Sequence, residues 1–264
     1  MLPNDIQFHI NCQKGDIGKY VILTGDPKRT DKIAKYFDNP ILKADNREYR
    51  IWTGEIKGKK VSVCSTGIGG PSTAIAVEEL CKCGAEVMIR IGTCGGINTK
   101  VEGGDVVIAT GAIRQEGTTL QYVPAEYPAV ADHDVVSALI EAAKSENRKY
   151  HTGIIQSKDS FYGQHSPEIM PVSTELENKW EAWKKAGVLC SEMECSTVFV
   201  VGGIRGIKTG AVLHVLWNQE REKLGLSNPT DENTENAIKI AVKAIEYMIK
   251  YKMPIKISIQ GPVH

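Results

Sequence analysis

The sequence predicts an α/β fold, a single domain with a mixed, mostly parallel central sheet flanked by helices. Two observations lead to this prediction. Short apolar runs that are typical of buried strands alternate with longer segments whose apolar residues recur at helical spacing. Neither an internal repeat nor a low-complexity linker interrupts this alternation. We therefore expect residues 1–264 to form one domain, a length that is common among α/β folds.

The first half of the chain contains two predicted helices with clear end signals. Asp26 offers an N-cap and Pro27 a first helical residue, so a helix is predicted through residue 37. Pro71 opens a second helix, which Gly84 is expected to end. The strands that alternate with these helices are predicted at 20–23, 61–64, 87–91 and 105–109. A glycine-rich turn, residues 92–96, is expected to follow the third of them.

The second half continues the alternation. Helices are predicted at 132–146, 175–186, 195–204 and 231–251. Strands are predicted at 150–156, 188–190 and 207–217. The tail, residues 253–264, has no strong pattern.

The net charge of the chain gives no reason to expect a partner that binds through bulk electrostatic attraction. Lys plus Arg equals Asp plus Glu, at 32 each, so the net charge is zero and no nucleic-acid or membrane partner is expected. No apolar run approaches the roughly 18 residues of a membrane span. A neutral surface is less protected from self-association, which favours a homo-oligomer.

The seven cysteines indicate a reducing compartment. Their number is odd, several lie in apolar segments, and residues 1–11 contain no apolar core of a signal peptide. We therefore expect free thiols and a cytoplasmic location. The spacing Cys81-x-Cys83, without a further Cys or His cluster nearby, does not suit zinc.

Three turns at predicted strand ends carry the residues of chemical interest. They are 25–29, 67–70 and 90–93. Ligands of such sheets bind beyond the carboxyl ends of the strands. The side chains of Arg29, Arg90 and Thr93, together with backbone amides, suit a compact oxyanion such as phosphate. A glycine-rich turn alone is as often a tight connection, but Arg90 in an apolar strand needs an anion or a carboxylate partner.

A second cluster is Ser191-Glu192-Met193-Glu194. It can be a capping serine followed by glutamates of a first helical turn. It can equally be a carboxylate that accepts hydrogen bonds from a sugar diol, with a methionine as an apolar platform. The sequence leaves both interpretations open.

These residues lie in stretches that resemble the hexameric-type nucleoside phosphorylases, and most closely the members that cleave uridine. The similarity runs from His9 to about Tyr251, and its most specific stretch is 64–80. Further matching stretches are Gly25-Asp26-Pro27, Arg90-Ile91-Gly92-Thr93, residues 127–132, Phe161-Tyr162 and Glu192-Met193-Glu194. The resemblance implies the nucleoside phosphorylase fold.

The resemblance also implies a set of site residues. The phosphate ligands would be Gly25, Arg29, Arg90 and Thr93, with Arg47 lent by a neighbouring subunit. The ribose ligands would be Met193 and Glu194, with His9 lent by the neighbour to the 5′-hydroxyl. The base would contact Thr93, Cys94, Gly95, Phe161, Gln164 and Glu192. A monovalent cation, K⁺, would bind between subunits at Glu48, Ile68 and Ser72.

The implied reaction is phosphorolysis of uridine, with deoxyuridine or thymidine as further candidate substrates, to uracil and ribose 1-phosphate in pyrimidine salvage. Inorganic phosphate is the co-substrate and no organic cofactor is expected. Arg90, Glu194 and Arg29 would carry the catalysis. The implied assembly is a homo-oligomer with a dimer as its minimal unit and a hexamer as its full form.

Two departures from the uridine-cleaving pattern lie at the base end. Ser166 and Gln219 stand where those relatives usually carry arginine, and His165, Gln219, Arg221 or water are candidate substitutes. A purine nucleoside phosphorylase is therefore an alternative, although no Asp that could protonate a purine lies between residues 212 and 219. A nucleosidase is disfavoured by the two phosphate arginines, and a non-catalytic binding protein by the survival of all phosphate and ribose ligands.

Overall fold

The computed structural model describes residues 5–253; the outer ends of the predicted domain, 1–4 and 254–264, lie outside the described residues. The strands are β1 Tyr20–Thr24, β2 Asp38–Asn46, β3 Tyr49–Ile56, β4 Lys59–Ser65, β5 Val87–Gly96, β6 Val106–Gln115, β7 Ala129–Val130, β8 Tyr150–Lys158, β9 Cys190–Glu192 and β10 Lys208–Asn218. The helices are α1 Pro27–Ala34, α2 Gly70–Lys82, α3 His133–Ser145, α4 Phe161–His165, α5 Ser173–Lys185, α6 Cys195–Ile204, α7 Gln219–Lys223 and α8 Glu235–Lys250.

All of these strands belong to one mixed sheet, which confirms the predicted fold class. Parallel pairing joins β4, β1, β5 and β10 in its centre, and also β6, β8 and β9. The hairpin of β2 and β3 extends one edge in antiparallel fashion. Because β10 pairs with both β5 and β6, and β9 with both β8 and β5, five strands close into a ring.

The helices cover the sheet with two apolar layers. One core cluster contains buried residues of α2 and α6, such as Leu80 and Phe199. The other contains buried residues of α1, α3 and α8, such as Ile33, Leu139 and Ile245. Each layer removes an apolar helix face and one sheet face from water, which is the main driving force for this architecture. No helix within residues 5–253 has the length and apolar character needed to cross a membrane.

Strand β5 is longer than predicted. The residues 92–96 were expected to form a turn, but the strand continues through them to Gly96. Neighbouring strands supply backbone partners there, since Gly95 pairs with Trp217 of β10 and Gly96 with Cys190 of β9. The missing side chain allows this close approach, because a Cβ at Gly96 would lie 2.5 Å from the Asn218 amide nitrogen. The prediction of a turn at this point was wrong.

Other predicted boundaries shift by a few residues. Helix α1 ends at Ala34 rather than 37, helix α8 begins at Glu235 rather than 231, and β9 lies two residues later than predicted. The hairpin of β2 and β3 was not predicted. Strand β2 is almost wholly exposed and carries no apolar alternation, so its sequence offers no signal of a strand.

Candidate active site

A cavity of about 650 Å³ opens at the carboxyl ends of the strands. Its walls come from the loops or last residues of β1, β4, β5, β8, β9 and β10, as expected for a sheet of this kind. The predicted site residues that line it are Gly25, Arg29, Ile68, Arg90, Thr93, Cys94, Gly95, Phe161, Gln164, Glu192, Met193 and Glu194. His9, Arg47, Glu48 and Ser72 do not line it.

Arg90 is a buried cation of this cavity, with 3% of its surface exposed. Its Nε donates to Glu192 over 3.1 Å and its Nη2 donates to Glu194. Burial alone would lower the pKa of Arg90, but the carboxylates of Glu194 and Glu192 raise it. Its third nitrogen, Nη1, is buried without a hydrogen-bond partner among the described residues. The carboxylate partners that the sequence required are therefore present, and one guanidinium nitrogen remains for a ligand.

The backbone beside Arg90 is shaped to accommodate its side chain. A Cβ at Gly92 would lie 2.7 Å from Arg90 Nη2 and 2.9 Å from Leu213 Cδ2. Contacts that short do not occur in relaxed structures, so only glycine leaves room for the guanidinium to lie over the strand.

Arg29 brings a second guanidinium to the same cavity from helix α1. The helix begins as predicted, with Pro27 as its first residue and the Asp26 side chain accepting from the Lys28 backbone N–H at 2.9 Å. Arg29 Nη1 donates to Thr24 Oγ1 over 3.1 Å. Burial lowers the pKa of Arg29, and the positive charge of Arg90 lowers it further. Two cations that repel each other across one cavity favour an anion between them.

Glu192 and Glu194 differ in how their carboxylates are used. Glu192 accepts from Ser157 Oγ, from Arg90 Nε and from the backbone N–H groups of residues 194 and 195. Its oxygens are engaged with protein donors, which suits a residue that positions Arg90. Glu194 accepts from Gly69 N at 2.6 Å and from Arg90, and burial raises the pKa of its carboxyl. Each of its oxygens keeps a lone pair for a further donor.

Helix α4 forms part of the cavity wall through Phe161, Gln164 and His165. Ser160 caps this helix by accepting from Gly163 N at 2.9 Å. The rings of Phe161 and His165 lie 4.3 Å apart between centroids, and those of His165 and Trp217 lie 5.5 Å apart. These flat apolar faces suit a planar ligand such as a nucleobase. Burial and the neighbouring Lys158 lower the pKa of His165, which favours its neutral form.

Lys158 is the residue that sequence reasoning missed. It ends β8, which was predicted to stop two residues earlier, at Gln156. Its side chain is buried, lines the cavity and donates to Ser191 Oγ over 2.6 Å. Burial lowers its pKa to about 8. The available signal was a lysine two residues beyond the predicted strand 150–156, at the carboxyl end where ligands of such sheets bind.

The candidate substitutes for the two absent arginines take different places. His165 lines the cavity. Gln219 lines a neighbouring cavity of about 550 Å³, which shares Lys158 and Gln164 with the first. The guanidinium of Arg221 donates to the carbonyls of Thr99 and Ser227 and forms an ion pair with Glu102. Arg221 is therefore held away from the cavity and does not fill that role in this structure.

The four predicted residues that do not line the cavity lie together on the adjoining surface, next to Ile68 of the cavity wall. We call this surface the rim patch and define it by His9, Arg47, Glu48, Ile68 and Ser72. Hydrogen bonds join its segments: Asn46 Nδ2 donates to the His9 carbonyl over 2.7 Å, and Tyr49 Oη donates to the Ser72 carbonyl over 2.9 Å. Arg47 occupies the exposed turn of the β2–β3 hairpin. Ile68 is 78% exposed and also lines the cavity, so the rim patch borders the site directly.

No group of three or more His, Cys, Asp or Glu side chains in residues 5–253 is arranged to hold a metal ion. The candidate ligands of a monovalent cation are instead one carboxylate, one backbone carbonyl and one hydroxyl of the rim patch. Glu48 and Ser72 both lie close to Gly67, and Ser72 Oγ is 3.4 Å from the Ile68 carbonyl. The structure thus brings the three predicted cation ligands together.

Comparisons with known proteins identify the family of this chain. The sequence model of the phosphorylase superfamily matches residues 19–250. A uridine phosphorylase of Treponema pallidum is 50% identical over 250 residues, which cover 95% of this chain and 97% of the relative. A uridine phosphorylase of Escherichia coli is 38% identical over 254 residues, 94% of this chain and 100% of the relative. A guanosine phosphorylase of Halorubrum lacusprofundi is 38% identical over 246 residues, 90% of this chain and 98% of the relative.

Proposed function

This chain belongs to the phosphorylase superfamily, and from that premise we propose that it is a pentosyltransferase that cleaves uridine with inorganic phosphate. The products are uracil and ribose 1-phosphate, the reaction of pyrimidine salvage. The observation that carries the proposal is the presence of two guanidiniums, Arg29 and Arg90, in a cavity that also has an aromatic wall. An anion site and an aromatic wall in one cavity suit phosphate and a nucleobase.

The phosphate end uses Gly25, Arg29, Arg90 and Thr93. The unpartnered Nη1 of Arg90 and the mutual repulsion of the two guanidiniums support an oxyanion at this position. Arg47 of a neighbouring subunit completes the site. Its location on the exposed hairpin turn of the rim patch supports this assignment, because from there it can reach a second copy of the chain.

The ribose lies between the two ends, against Met193, with its hydroxyls on Glu194 and its 5′-hydroxyl on His9 of the neighbour. The minimal active unit is then an isologous dimer, in which each subunit lends the same residues that it receives, and the full assembly is a hexamer of three dimers. The rim patch supports the shared site, since it carries His9 and Arg47 beside the cavity rather than inside it.

The chemistry needs no protein nucleophile. A phosphate oxygen bonds to the anomeric carbon while the bond from that carbon to the base nitrogen breaks, and the bonding electron pair leaves with the base. The base then takes a proton from water. Arg29 and Arg90 position the phosphate, and Glu194 favours the positive charge that develops on the ribosyl ring. Thr93, Cys94, Gly95, Phe161, Gln164 and Glu192 bound the base, and Glu192 also positions Arg90 at the phosphate end.

A monovalent cation at the subunit boundary is part of the proposal. Its ligands are the Glu48 carboxylate, the Ile68 carbonyl and the Ser72 hydroxyl, hard oxygens of the kind that K⁺ accepts. Replacing K⁺ by choline should lower the activity of the wild-type chain, and Glu48→Ala should remove that dependence. The seven free thiols support the cytoplasm as the compartment.

A parallel substrate panel tests the function. Release of base from uridine, deoxyuridine, thymidine, inosine and guanosine is measured with and without phosphate. We expect kcat/KM to be higher for uridine than for inosine, and activity to require phosphate. Preference for inosine or guanosine would replace the pyrimidine assignment by a purine one, and hydrolysis without phosphate would point to a nucleosidase.

A further inference from the structure

Lys158 lies at the base end of the cavity, where the sequence lacks both arginines of the uridine-cleaving pattern. Its Nζ is 2.6 Å from Ser191 Oγ and 6.0 Å from the centroid of the Phe161 ring. The side chain is only 6% exposed and forms part of the wall between the main cavity and the neighbouring one. A buried amine therefore stands beside the aromatic wall that would hold the base.

The charge of this amine is not neutralised by a direct partner. Within residues 5–253, no carboxylate oxygen lies within the 4.0 Å of Lys158 Nζ that defines an ion pair. An ammonium group has three N–H donors, and the Ser191 hydroxyl takes one of them. A desolvated cation with spare donors is costly to keep in a folded protein unless a ligand uses it.

Ser191 links this amine to a second donor of the base end. Its hydroxyl accepts from Lys158 and donates to Gln164 Oε1 over 2.6 Å. Because the Gln164 oxygen is taken by a hydroxyl donor, the amide nitrogen is the atom left to act on a ligand. The amine and the amide are thus oriented as a pair of donors by one serine.

We propose that the Lys158 ammonium donates a hydrogen bond to a carbonyl oxygen of the departing pyrimidine and stabilises the negative charge that the base acquires. This inference rests on the proposed function. When the glycosidic bond breaks, its electron pair delocalises onto the carbonyl oxygens of the base. A hydrogen bond to such an oxygen is therefore stronger in the transition state than in the ground state. No proton is transferred by the lysine; the base takes its proton from water afterwards.

The test compares Lys158→Met with Lys158→Arg on two nucleosides. Uridine has a poor leaving group, and 5-fluorouridine a better one, because fluorine stabilises the base anion. At mildly acidic pH, Lys158→Met should lower kcat/KM for uridine about 10²-fold, the loss typical of one removed transition-state donor. The loss for 5-fluorouridine should be clearly smaller, the KM for phosphate should stay unchanged, and Lys158→Arg should recover most of the rate. Equal losses for both nucleosides would show that Lys158 only supports the fold, and would overturn the proposal.

The pH profile provides a second readout. Lys158 faces Glu192, Glu194, Cys190, Cys94 and His165, and burial outweighs the carboxylates and lowers its pKa to about 8. The protonated amine is the active form, so kcat/KM of the wild type should fall as pH rises through that value. Lys158→Arg, which keeps a cation of higher pKa, should move this fall upward and remains informative if Lys158→Met does not fold. If the fall of kcat/KM at alkaline pH occurs at the same pH in Lys158→Arg as in the wild type, the role of Lys158 is contradicted.

The proposed function and this inference can fail separately. A wild-type chain that releases no uracil from uridine overturns both. Normal wild-type activity together with an unaffected Lys158→Met overturns this inference alone.

Discussion

His9 Nδ1 lies 2.7 Å from Oε1 of Glu79, a buried carboxylate on α2 that also accepts the backbone N–H groups of His9 and Ile10. A carboxylate facing Nδ1 places the ring proton there and leaves Nε2 as the outward acceptor. The ring that each subunit would lend to its neighbour is therefore fixed in orientation and tautomer by its own subunit.

Glu79→Gln should weaken the contact of His9 with the ribose 5′-hydroxyl. The amide group would offer a donor to Nδ1, which reverses the tautomer and turns Nε2 into a donor. We expect kcat/KM for uridine to fall roughly tenfold, on the order of one hydrogen bond. Activity on 5′-deoxyuridine, which lacks that hydroxyl, should hardly change. Steady-state kinetics on both nucleosides measure this effect. Equal losses of kcat/KM on the two nucleosides would show that His9 does not contact the 5′-hydroxyl.

The shared site predicts complementation between two inactive chains. Arg47→Ala removes a residue that is lent, whereas Glu194→Ala removes one that stays in its own cavity. After the two variants are dissociated together and reassembled, some sites contain both wild-type residues, and part of the activity should return. Each variant reassembled alone is the control. Absence of activity in oligomers that demonstrably contain both chains, or full activity of a monomer, would refute the shared site.

Arg90→Lys should separate charge from geometry at the phosphate end. The substitution keeps a cation for Glu192 and Glu194 but loses the planar fork that binds two oxygens at once. We expect the KM for phosphate to rise and kcat to fall, together by about 10²-fold or more, as for other removed anion ligands. Phosphate kinetics that match the wild type, in a variant with normal circular dichroism, would place the anion elsewhere.

Arg90→Ala should make stability depend on pH in a defined direction. It leaves two buried carboxylates unpaired, which costs about 3–5 kcal/mol. Burial already raises the pKa of Glu194, and loss of Arg90 removes the main opposing charge. A carboxyl whose folded pKa exceeds its unfolded pKa stabilises the fold at low pH and loses that contribution as pH rises. Denaturant unfolding should therefore show a deficit against wild type that is larger at neutral than at acidic pH; a pH-independent deficit would argue against unpaired carboxylates as its cause.

Gly92→Ala should disturb the phosphate end through sterics alone. The added methyl group would meet Arg90 Nη2 at 2.7 Å, so the guanidinium must move. We expect a higher KM for phosphate and a loss of stability of about 1–3 kcal/mol from overpacking. Gly203→Ala is the matched control, because its Cβ would find its nearest atom at 3.9 Å. If both variants keep wild-type phosphate kinetics, Arg90 has more room than its surroundings suggest.

The sequence predicted the phosphate end better than the base end for a physical reason. Arg29 and Arg90 follow or occupy apolar strands and lie beside glycines, so their placement at the sheet edge follows from local pattern. Lys158 reaches the cavity because β8 runs two residues further than predicted, to residue 158. How far a strand continues depends on the neighbours that pair with it, and the closing of β5, β10, β6, β8 and β9 into a ring is a long-range property.

The same limit applies to the rim patch. His9, Arg47 and Ser72 are distant in sequence, and nothing in their local patterns indicates that they share a surface. Strand β2, which carries the hairpin turn to that surface, is polar and exposed, so neither its existence nor its position could be predicted from apolar periodicity. The resemblance to known proteins supplied these residues, and tertiary hydrogen bonds explain their proximity.

The two walls of the cavity are anchored very differently. Strand β5 has paired strands on both sides at Arg90, namely β1 and β10. By contrast, α5, which packs near the base wall, has no buried residue, and Phe161 is 51% exposed. Substitutions on the base wall therefore remove little buried apolar surface and should cost little folding free energy. During evolution, substitutions that change the preferred base should therefore be accepted more readily than substitutions that change phosphate binding, because the base wall tolerates mutation better than the strands around Arg90.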